Sequence, residues 1–385
     1  MPKRCVIIGA SLGGFRSARE LRRVGFSGEI TLIGEESFSP YQRPPLSKQL
    51  IKKTFPLERC FLRGSVAEPF SQQLGLTATA LDSHAKKIQL SDGKEISYDL
   101  AIVATGAKPV TITTAAPSDR VIYLRTIDDA LRLRDQLSNE VRIGVVGAGF
   151  IGSEVASSLS HQVSRVVLFD SDEQPMSKAI GPYLAQALKE LHESNGVETI
   201  FGTSVSIVDS QNEDFVSIET PSQQFAFDVV VIGIGVRPAT QWLKDSDSLH
   251  FDAVGALMAD KTGRVLDTDD LYVVGDASSW FDPIYQQHLH VEHFESTVNQ
   301  AMQVARSITG APSIDYELPF AWTEQHGQLI QTVGVRMEDS KDEVIHQKDH
   351  LLVTFHSSEK ITGAALFNNS EALEWTKSEI LASLS

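Results

Sequence analysis

The sequence predicts an α/β fold with two Rossmann-like domains, the second inserted in the first, and a small α+β domain at the C-terminus. Two observations predict the Rossmann-like domains. Residues 141–170 and residues 6–36 each run from an apolar stretch through a glycine-rich turn and a helix pattern into a second apolar stretch. A third observation predicts the last domain. After residue 312 the strand–helix–strand units give way to a series of alternating strand patterns, which lead into a helix from Glu371.

The clearest of these stretches is 141–170. Its first apolar run, Ile143 to Val146, predicts a buried strand that turns at Gly147, Gly149 and Gly152 into a helix of small residues. In such a fingerprint the first glycine allows the tight turn, the second lets a pyrophosphate approach the backbone, and the third lets the helix pack on the strand. The stretch therefore predicts a dinucleotide site at a helix N-terminus.

Asp170 indicates which dinucleotide binds there. It follows the second apolar run and lies about 18 residues beyond Gly152, where an acidic side chain can hold a ribose 2′-hydroxyl. The same carboxylate repels a 2′-phosphate, and residues 171–174 offer no cation to neutralise one. We therefore expect NADH to be preferred over NADPH.

The N-terminal unit repeats the pattern. Val6 to Ile8 leads into the glycine turn of Gly9 to Gly14, a helix follows, and Glu35 comes after the second strand. Ser11 replaces the middle glycine, which adds a Cβ where backbone and phosphate approach each other. Two such units in one chain predict an enzyme that uses two dinucleotides.

Composition excludes several classes of function. With 385 residues, 42% hydrophobic and 22% charged, the chain has the composition of a globular protein of two or three domains. A net charge of −16 argues against nucleic acid and anionic membrane as partners. No apolar run is long enough to cross a bilayer, and the N-terminal run breaks too early for a signal peptide. We therefore expect a cytoplasmic protein.

Cysteine and histidine usage argues against a metal centre. The only cysteines, Cys5 and Cys60, cannot supply four sulfur ligands or a CxxC pair, and Cys5 fits a buried strand. Of the 11 histidines none has a convincing ligand spacing, and His288, His290 and His293 fit better as residues at the start of a helix. We expect no metal site.

The predicted domain boundaries follow from the order of the elements. Residues 1–109 and 236–311 form the first domain, residues 110–235 the inserted one, and residues 312–385 the third. The inserted domain begins in a linker rich in Thr, Ala and Pro, followed by a capping box at Thr126. The segments 263–268 and 272–276 are expected to return the chain to the first domain, and a helix from Phe294 is expected to stop at Gly310.

Several motifs together resemble the flavoprotein ferredoxin and rubredoxin reductase family, whose relatives include apoptosis-inducing factor. The most specific is RPPLSK at Arg43 to Lys48. The others are VIIGASLGG at Val6 to Gly14, IVATG at Ile102 to Gly106, YVVGDA at Tyr272 to Ala277, VEH at Val291 to His293, and AWTEQ at Ala321 to Gln325. AWTEQ replaces the family's usual FWSDQ, and His290 stands where relatives often carry arginine.

The resemblance implies FAD in the first domain, NADH in the inserted one, and a third domain lying against the flavin. The implied cofactor-binding residues of the FAD site are Gly9, Ser11, Leu12, Gly13, Gly14, Glu35, Glu36, Arg43, Lys48, Ala80, Ala104, Thr105, Gly106, Arg125, Gly275, Asp276, Glu292, His293 and Trp322. Those of the NADH site are Gly147, Gly149, Phe150, Ile151, Gly152, Asp170, Lys178 and Gly235.

The resemblance also implies three catalytic residues. Lys48 would lie near the hydride-accepting flavin nitrogen and pair with Glu154, while the ring of Trp322 would lie against the flavin and nicotinamide site. A plain salt bridge and a core tryptophan remain the alternatives for these residues.

The implied activity is that of an NADH:ferredoxin or NADH:rubredoxin reductase, a monomer or homodimer. It would pass electrons one at a time to a small iron–sulfur protein, a 2Fe-2S ferredoxin or a rubredoxin, that feeds an oxygenase. Lys52, Lys53, Arg59 and Arg63 are candidate docking residues for an acidic partner.

Two alternatives stay open at this point: reduction of a quinone or organic radical, and a slow NADH sensor resembling apoptosis-inducing factor. A disulfide reductase or cysteine peroxidase is disfavoured, because the segment Tyr41 to Lys48 lacks a cysteine.

Overall fold

The structure is a computed structural model that describes residues 3–64, 70–210, 213–244, 246, 248–347 and 350–385. The chain forms two compact units. The first comprises Met1–Gln42, Cys60–Lys108 and Arg237–Pro319, and the second comprises Arg43–Arg59, Pro109–Val236 and Phe320–Ser385. The C-terminal segment thus groups with the inserted segment, and the division into three domains stays a prediction.

Helices and strands alternate in two stretches, residues 4–34 and 121–200, and most of the other strands follow one another without an intervening α-helix. The helices are α1 (Leu12–Arg23), α2 (Ile127–Gln136), α3 (Phe150–Leu159), α4 (Ser177–Ser194), α5 (Phe294–Thr309) and α6 (Leu373–Leu384). The strands are β1 (Arg4–Ile8), β2 (Glu29–Gly34), β3 (Ser71–Leu74), β4 (Ala78–Asp82), β5 (Lys87–Leu90), β6 (Glu95–Ser97), β7 (Leu100–Val103), β8 (Ala107–Pro109), β9 (Val121–Tyr123), β10 (Arg142–Val146), β11 (Arg165–Phe169), β12 (Val197–Ile200), β13 (Ser206–Asp209), β14 (Val216–Glu219), β15 (Gln224–Phe227), β16 (Val229–Ile232), β17 (Val236–Pro238), β18 (Leu257–Ala259), β19 (Leu271–Val273), β20 (Ser278–Asp282), β21 (Gln287–His290), β22 (Phe320–Gln325), β23 (Gln328–Gly334), β24 (Lys341–Gln347), β25 (His350–Ser357) and β26 (Lys360–Phe367).

The first unit is built on a parallel sheet of order β19-β7-β1-β2-β3. In β1, Cys5 to Ile8 are all buried, as expected of a parallel strand covered on both faces. Helices α1 and α5 pack against each other. Two smaller sheets, β4-β5-β6 and β18-β20-β21, complete this unit.

The second unit contains a parallel sheet of order β12-β11-β10-β16-β9, the antiparallel sheet β13-β14-β15 and the antiparallel sheet β22-β23-β26-β25-β24. Helix α4 packs the buried side chains of Ile180, Leu184 and Leu188 against Val353 and Phe355 of β25. This apolar layer explains why the C-terminal sheet groups with the inserted segment.

Two predicted helix ends match the structure closely. Thr126 accepts a hydrogen bond from the Asp129 backbone, and the Asp129 carboxylate accepts one from the Thr126 N–H, which completes the predicted capping box. Helix α5 ends at Gly310, whose φ of 73° is left-handed. In the part of the chain with assigned positions, no helix is both long and apolar enough to cross a membrane.

Two segments lack the regular pattern of a strand or helix. Residues 263–268 belong to the first unit and form the isolated bridges of Ala259 with Val265 and of Arg264 with Tyr272. Helix α4 was not predicted from the pattern, because Gly181 with a φ of 76° and Pro182 interrupt the helical periodicity.

Candidate functional site

The N-terminal glycine turn forms a cradle at the start of α1. Gly9 has a φ of +115°, and a Cβ at this position would overlap the carbonyl oxygen of Ala104. A Cβ on Gly14 would overlap the carbonyl oxygen of Gly9, so strand and helix approach at van der Waals distance. The first turn of α1, which begins at Leu12 after Ser11, carries no acidic side chain. Its N–H groups therefore suit an anionic group such as a pyrophosphate.

Most of the remaining predicted residues of the first unit follow the ends of strands β2 and β7. Glu35 follows β2, is exposed, and its Oε1 lies 3.3 Å from Lys108 Nζ. Glu36 accepts a hydrogen bond of 2.6 Å from the Tyr41 hydroxyl. Those that follow β7 are Ala104, Thr105 and Gly106, with Gly13 in α1 and Ala80 half-buried in β4.

A second helix N-terminus belongs to the same unit. His293 is the N-cap residue of α5, and burial lowers the pKa of its imidazole to about 4 although Asp276 opposes the shift. The Gly275 N–H donates to Gln300 Oε1 at 2.7 Å, and Glu292 Oε1 lies 3.7 Å from His290 Nε2. The motifs YVVGDA and VEH therefore lie in one unit with the N-terminal cradle.

The glycine turn of the second unit opens on a cavity of about 440 Å³. The cavity is lined by Ile112, Val146, Gly147, Ala148, Gly149, Phe150, Phe169, Asp170, Ser171, Asp172, Gln174, Met176, Ser177, Lys178, Ala179, Thr203, Ser204, Val205, Gly233, Ile234 and Gly235. A Cβ on Gly152 would overlap the Gly147 carbonyl oxygen, whereas a Cβ on Gly149 would meet no atom of the described structure within 4 Å. Gly149 is thus open where the fingerprint requires a ligand to approach.

Asp170 is held rigidly in the wall of this cavity. Its Oδ2 accepts from the Ala148 N–H, and its Oδ1 accepts from the Asp172 N–H at 2.8 Å. Next to it, Lys178 Nζ lies 2.9 Å from Asp172 Oδ2, and this hydrogen bond raises the pKa of Lys178. The cation beside Asp170 is therefore already paired with a carboxylate.

The three predicted catalytic residues meet in the second unit. Lys48 Nζ lies 2.8 Å from Glu154 Oε1 and 4.4 Å from the centroid of the Trp322 ring. The side chains of Lys48 and Glu154 are 12% and 6% exposed, whereas Trp322 is 42% exposed. Trp322 is thus no core residue, and its ring presents a face to the Lys48 ammonium.

Arg43 and Arg125, both assigned to the cofactor by the resemblance, also come together. The Arg43 guanidinium donates to the Arg125 carbonyl oxygen. Ile151, the remaining fingerprint residue, is 39% exposed on α3.

Sequence reasoning missed three residues of the Lys48 cluster. Ser47 and Thr323 donate hydrogen bonds to Glu154, and Gln325 donates to Thr323 Oγ1 at 3.3 Å. The signal was present in AWTEQ, because alternation along a strand places Thr323 and Gln325 on the face opposite Trp322.

The remaining candidate groups are the two cysteines and the candidate docking residues. Burial raises the pKa of Cys5 to about 12 and that of Cys60 to about 11, so neither thiol is an activated nucleophile. Among the described residues, no group of three or more His, Cys, Asp or Glu side chains could hold a metal ion. Of the candidate docking residues, Lys52, Arg59 and Arg63 are exposed, and Lys53 Nζ donates to the Leu137 carbonyl.

Comparison with known proteins extends this picture. The sequence pattern of the pyridine nucleotide-disulphide oxidoreductase family matches residues 3–306. A probable ferredoxin reductase, CtmF of Castellaniella defragrans, is 30% identical over 86% of this chain and 82% of its own length. Rhodocoxin reductase of Rhodococcus erythropolis is 31% identical over 86% of this chain and 78% of its own.

Solved structures agree with the sequence comparison. The covalent complex of putidaredoxin reductase with putidaredoxin contains a chain that matches 99% of this one, with a TM-score of 0.93 and 25% identity over 93% of that chain. The predicted α/β fold with Rossmann-like parallel sheets is therefore confirmed.

Proposed function

The chain belongs to the pyridine nucleotide-disulphide oxidoreductase family, and we propose that it is an FAD-dependent NADH:ferredoxin or NADH:rubredoxin reductase of an oxygenase system. The observation that carries the proposal is the cavity of the second unit, which is lined by Gly147 and Gly149 of the glycine fingerprint together with the fixed Asp170 carboxylate. Relatives named as ferredoxin reductase and rhodocoxin reductase support the acceptor class.

The FAD pyrophosphate binds at the N-terminus of α1, where the first turn presents N–H groups and no acidic side chain. Bound FAD supplies acceptance of a hydride from NADH and release of single electrons to the acceptor. Asp276, Arg43 and Glu35 hold the rest of the cofactor, as the family resemblance implies.

NADH binds in the cavity of the second unit, with its pyrophosphate at Gly149 and its adenosine ribose on Asp170. Lys48, Glu154 and Trp322 orient the nicotinamide and the flavin for transfer. Their contribution is positioning, since hydride transfer needs no general base. Two neighbouring backbone N–H donors keep the Asp170 carboxylate aimed into the cavity, which supports NADH over NADPH.

The electron acceptor is a 2Fe-2S ferredoxin or a rubredoxin that feeds an oxygenase. An acidic acceptor needs a local basic surface on a chain of net charge −16, and Lys52, Lys53, Arg59 and Arg63 are the candidates. The reaction takes place in the cytoplasm, and the chain acts as a monomer or homodimer.

Anaerobic stopped-flow reduction of the FAD-loaded protein tests the proposal. NADH should bleach the flavin absorbance at least about tenfold faster than NADPH, and one member of a panel of ferredoxins and rubredoxins should reoxidise the reduced protein. A chain that does not retain FAD contradicts the proposal. Rapid bleaching followed by reoxidation only by quinones favours the quinone reductase, and slow bleaching into a long-lived charge-transfer state favours the sensor.

A further inference from the structure

The Glu154 carboxylate is surrounded by donors from two other segments of the second unit. Lys48 Nζ and Thr323 Oγ1 lie 2.8 Å and 2.7 Å from Glu154 Oε1, and Ser47 Oγ donates to Oε2. With a side chain only 6% exposed, Glu154 has little access to water that could replace these donors. A carboxylate in such a place depends on hydrogen bonds and the paired charge to compensate for its lost hydration.

The direction of the Thr323 hydroxyl is itself fixed. Gln325 Nε2 donates to Thr323 Oγ1 at 3.3 Å, so the single hydroxyl hydrogen of Thr323 is left to point at Glu154. Both side chains are fully buried on one face of β22, and Gln325 Nε2 also lies 3.4 Å from Met176 Sδ in the cavity wall. The strand therefore holds a directed hydrogen bond, which is stronger than a freely rotating one.

Three rigid elements meet at this carboxylate. Ser47 ends a short 3₁₀ turn stiffened by Pro44 and Pro45, Thr323 belongs to β22, and Glu154 lies in α3. A lysine on a flexible four-carbon chain has no comparable support of its own. Its ammonium lies over the Trp322 ring and is oriented chiefly by the carboxylate that pairs with it.

We propose that Thr323 is a positioning residue: its hydroxyl, oriented by Gln325, holds the Glu154 carboxylate against Lys48 and so fixes the Lys48 ammonium. The consequence for catalysis rests on the proposed function, in which Lys48 orients nicotinamide and flavin. Without this hydroxyl, Glu154 Oε1 loses one of the two partners described for it, Thr323 and Lys48, and the carboxylate is held less firmly against the lysine.

The test compares Thr323→Val, which keeps the shape and removes the hydroxyl, with Thr323→Ser, which restores it. The first readout is acetylation of Lys48 by acetic anhydride in the FAD-loaded protein, quantified by peptide mass spectrometry against Lys94, whose side chain is 80% exposed. The second is the stopped-flow rate of flavin reduction by NADH. Thr376→Val is the matched control, because the buried hydroxyl of Thr376 in α6 donates to the carbonyl of Ala372, the N-cap residue of that helix.

We expect Thr323→Val to raise Lys48 acetylation at least about threefold and to slow reduction by NADH about tenfold. Thr323→Ser should bring both the acetylation of Lys48 and the rate of flavin reduction most of the way back to the wild-type values. Thr376→Val should change neither of these two readouts. The proposal is overturned if Lys48 is acetylated in Thr323→Val to the same extent as in the wild type. It is also overturned if Thr376→Val raises Lys48 acetylation as much as Thr323→Val does. If NADH reduces no variant, including wild type, the proposed function fails while the acetylation result still decides the role of Thr323.

Discussion

Lys48 and Glu154 form an ion pair of 2.8 Å in which both side chains are almost completely shielded from water. The two residues come from segments more than 100 positions apart, a proline-stiffened turn and the helix of the second glycine fingerprint. A buried pair of this kind contributes little net stability, yet removing one partner leaves an uncompensated charge. Replacing either residue should therefore lower both the stability of the fold and the rate of the reaction.

A double-mutant cycle measures this relationship. Lys48→Met and Glu154→Gln should each lower the free energy of unfolding in urea by about 3 kcal/mol, and the double variant should lose less than the sum by about 2 kcal/mol. Lys48→Met should also slow flavin reduction by NADH about 100-fold, because the positioned ammonium is lost. Strictly additive losses would show that the two charges do not interact.

Alanine substitutions of Gly149 and Gly152 should have different effects, one on cofactor binding and the other on stability. A Cβ on Gly152 overlaps the Gly147 carbonyl oxygen, so Gly152→Ala should lower the free energy of unfolding by about 3 kcal/mol. A Cβ on Gly149 has open space around it, so Gly149→Ala should fold normally but weaken NADH binding about tenfold by blocking the pyrophosphate. Urea titration and NAD⁺ binding by calorimetry are the measurements. Unchanged NAD⁺ affinity in a folded Gly149→Ala protein would place the pyrophosphate elsewhere.

The sequence alone was sufficient for the parallel sheets and the cofactor turns because their signals are local. Gly147 to Gly152 and Asp170 lie on one strand–helix–strand unit, whose geometry follows from backbone sterics. The surroundings of Glu154 were not predictable in this way. Ser47 and Thr323 reach the carboxylate from segments 107 and 169 positions away, and no periodicity connects them. Helix α4 was missed for a local reason, since Gly181 and Pro182 resemble a helix end.

Asp172 is predicted to strengthen the preference for NADH by pairing with Lys178. Asp172→Asn releases the Lys178 ammonium, whose side chain is 86% exposed at the cavity, to meet a 2′-phosphate. The ratio of kcat/KM for NADPH to that for NADH should rise about fivefold, within the range of an exposed ion pair. Adding Lys178→Ala to this variant should abolish the gain. An unchanged ratio in Asp172→Asn would mean that Asp170 alone sets the preference.

His192 should make the protein less stable in acid. It is fully buried, its Nδ1 lies 3.0 Å from His326 Nε2, and burial lowers its pKa from 6.5 to about 3. Below pH 6.5 the His192 imidazole therefore binds a proton in the unfolded chain but not in the folded one. Its contribution to the free energy of unfolding is fully present above that pH and is lost as the pH drops toward 3. His326, with a pKa lowered to about 4, acts in the same direction.

For His192 alone the loss between pH 7 and 5 amounts to about 2 kcal/mol. Urea unfolding at pH 7, 6 and 5 measures it. In His192→Leu the free energy of unfolding should be lower at pH 7, because His326 loses its partner, but its decline between pH 7 and pH 5 should be smaller by about 2 kcal/mol. A decline as steep as that of the wild type would mean that His192 is protonated in the folded protein, contrary to its burial. The carboxylates that titrate in the same range contribute equally to both proteins, so the difference between the two slopes isolates the imidazole.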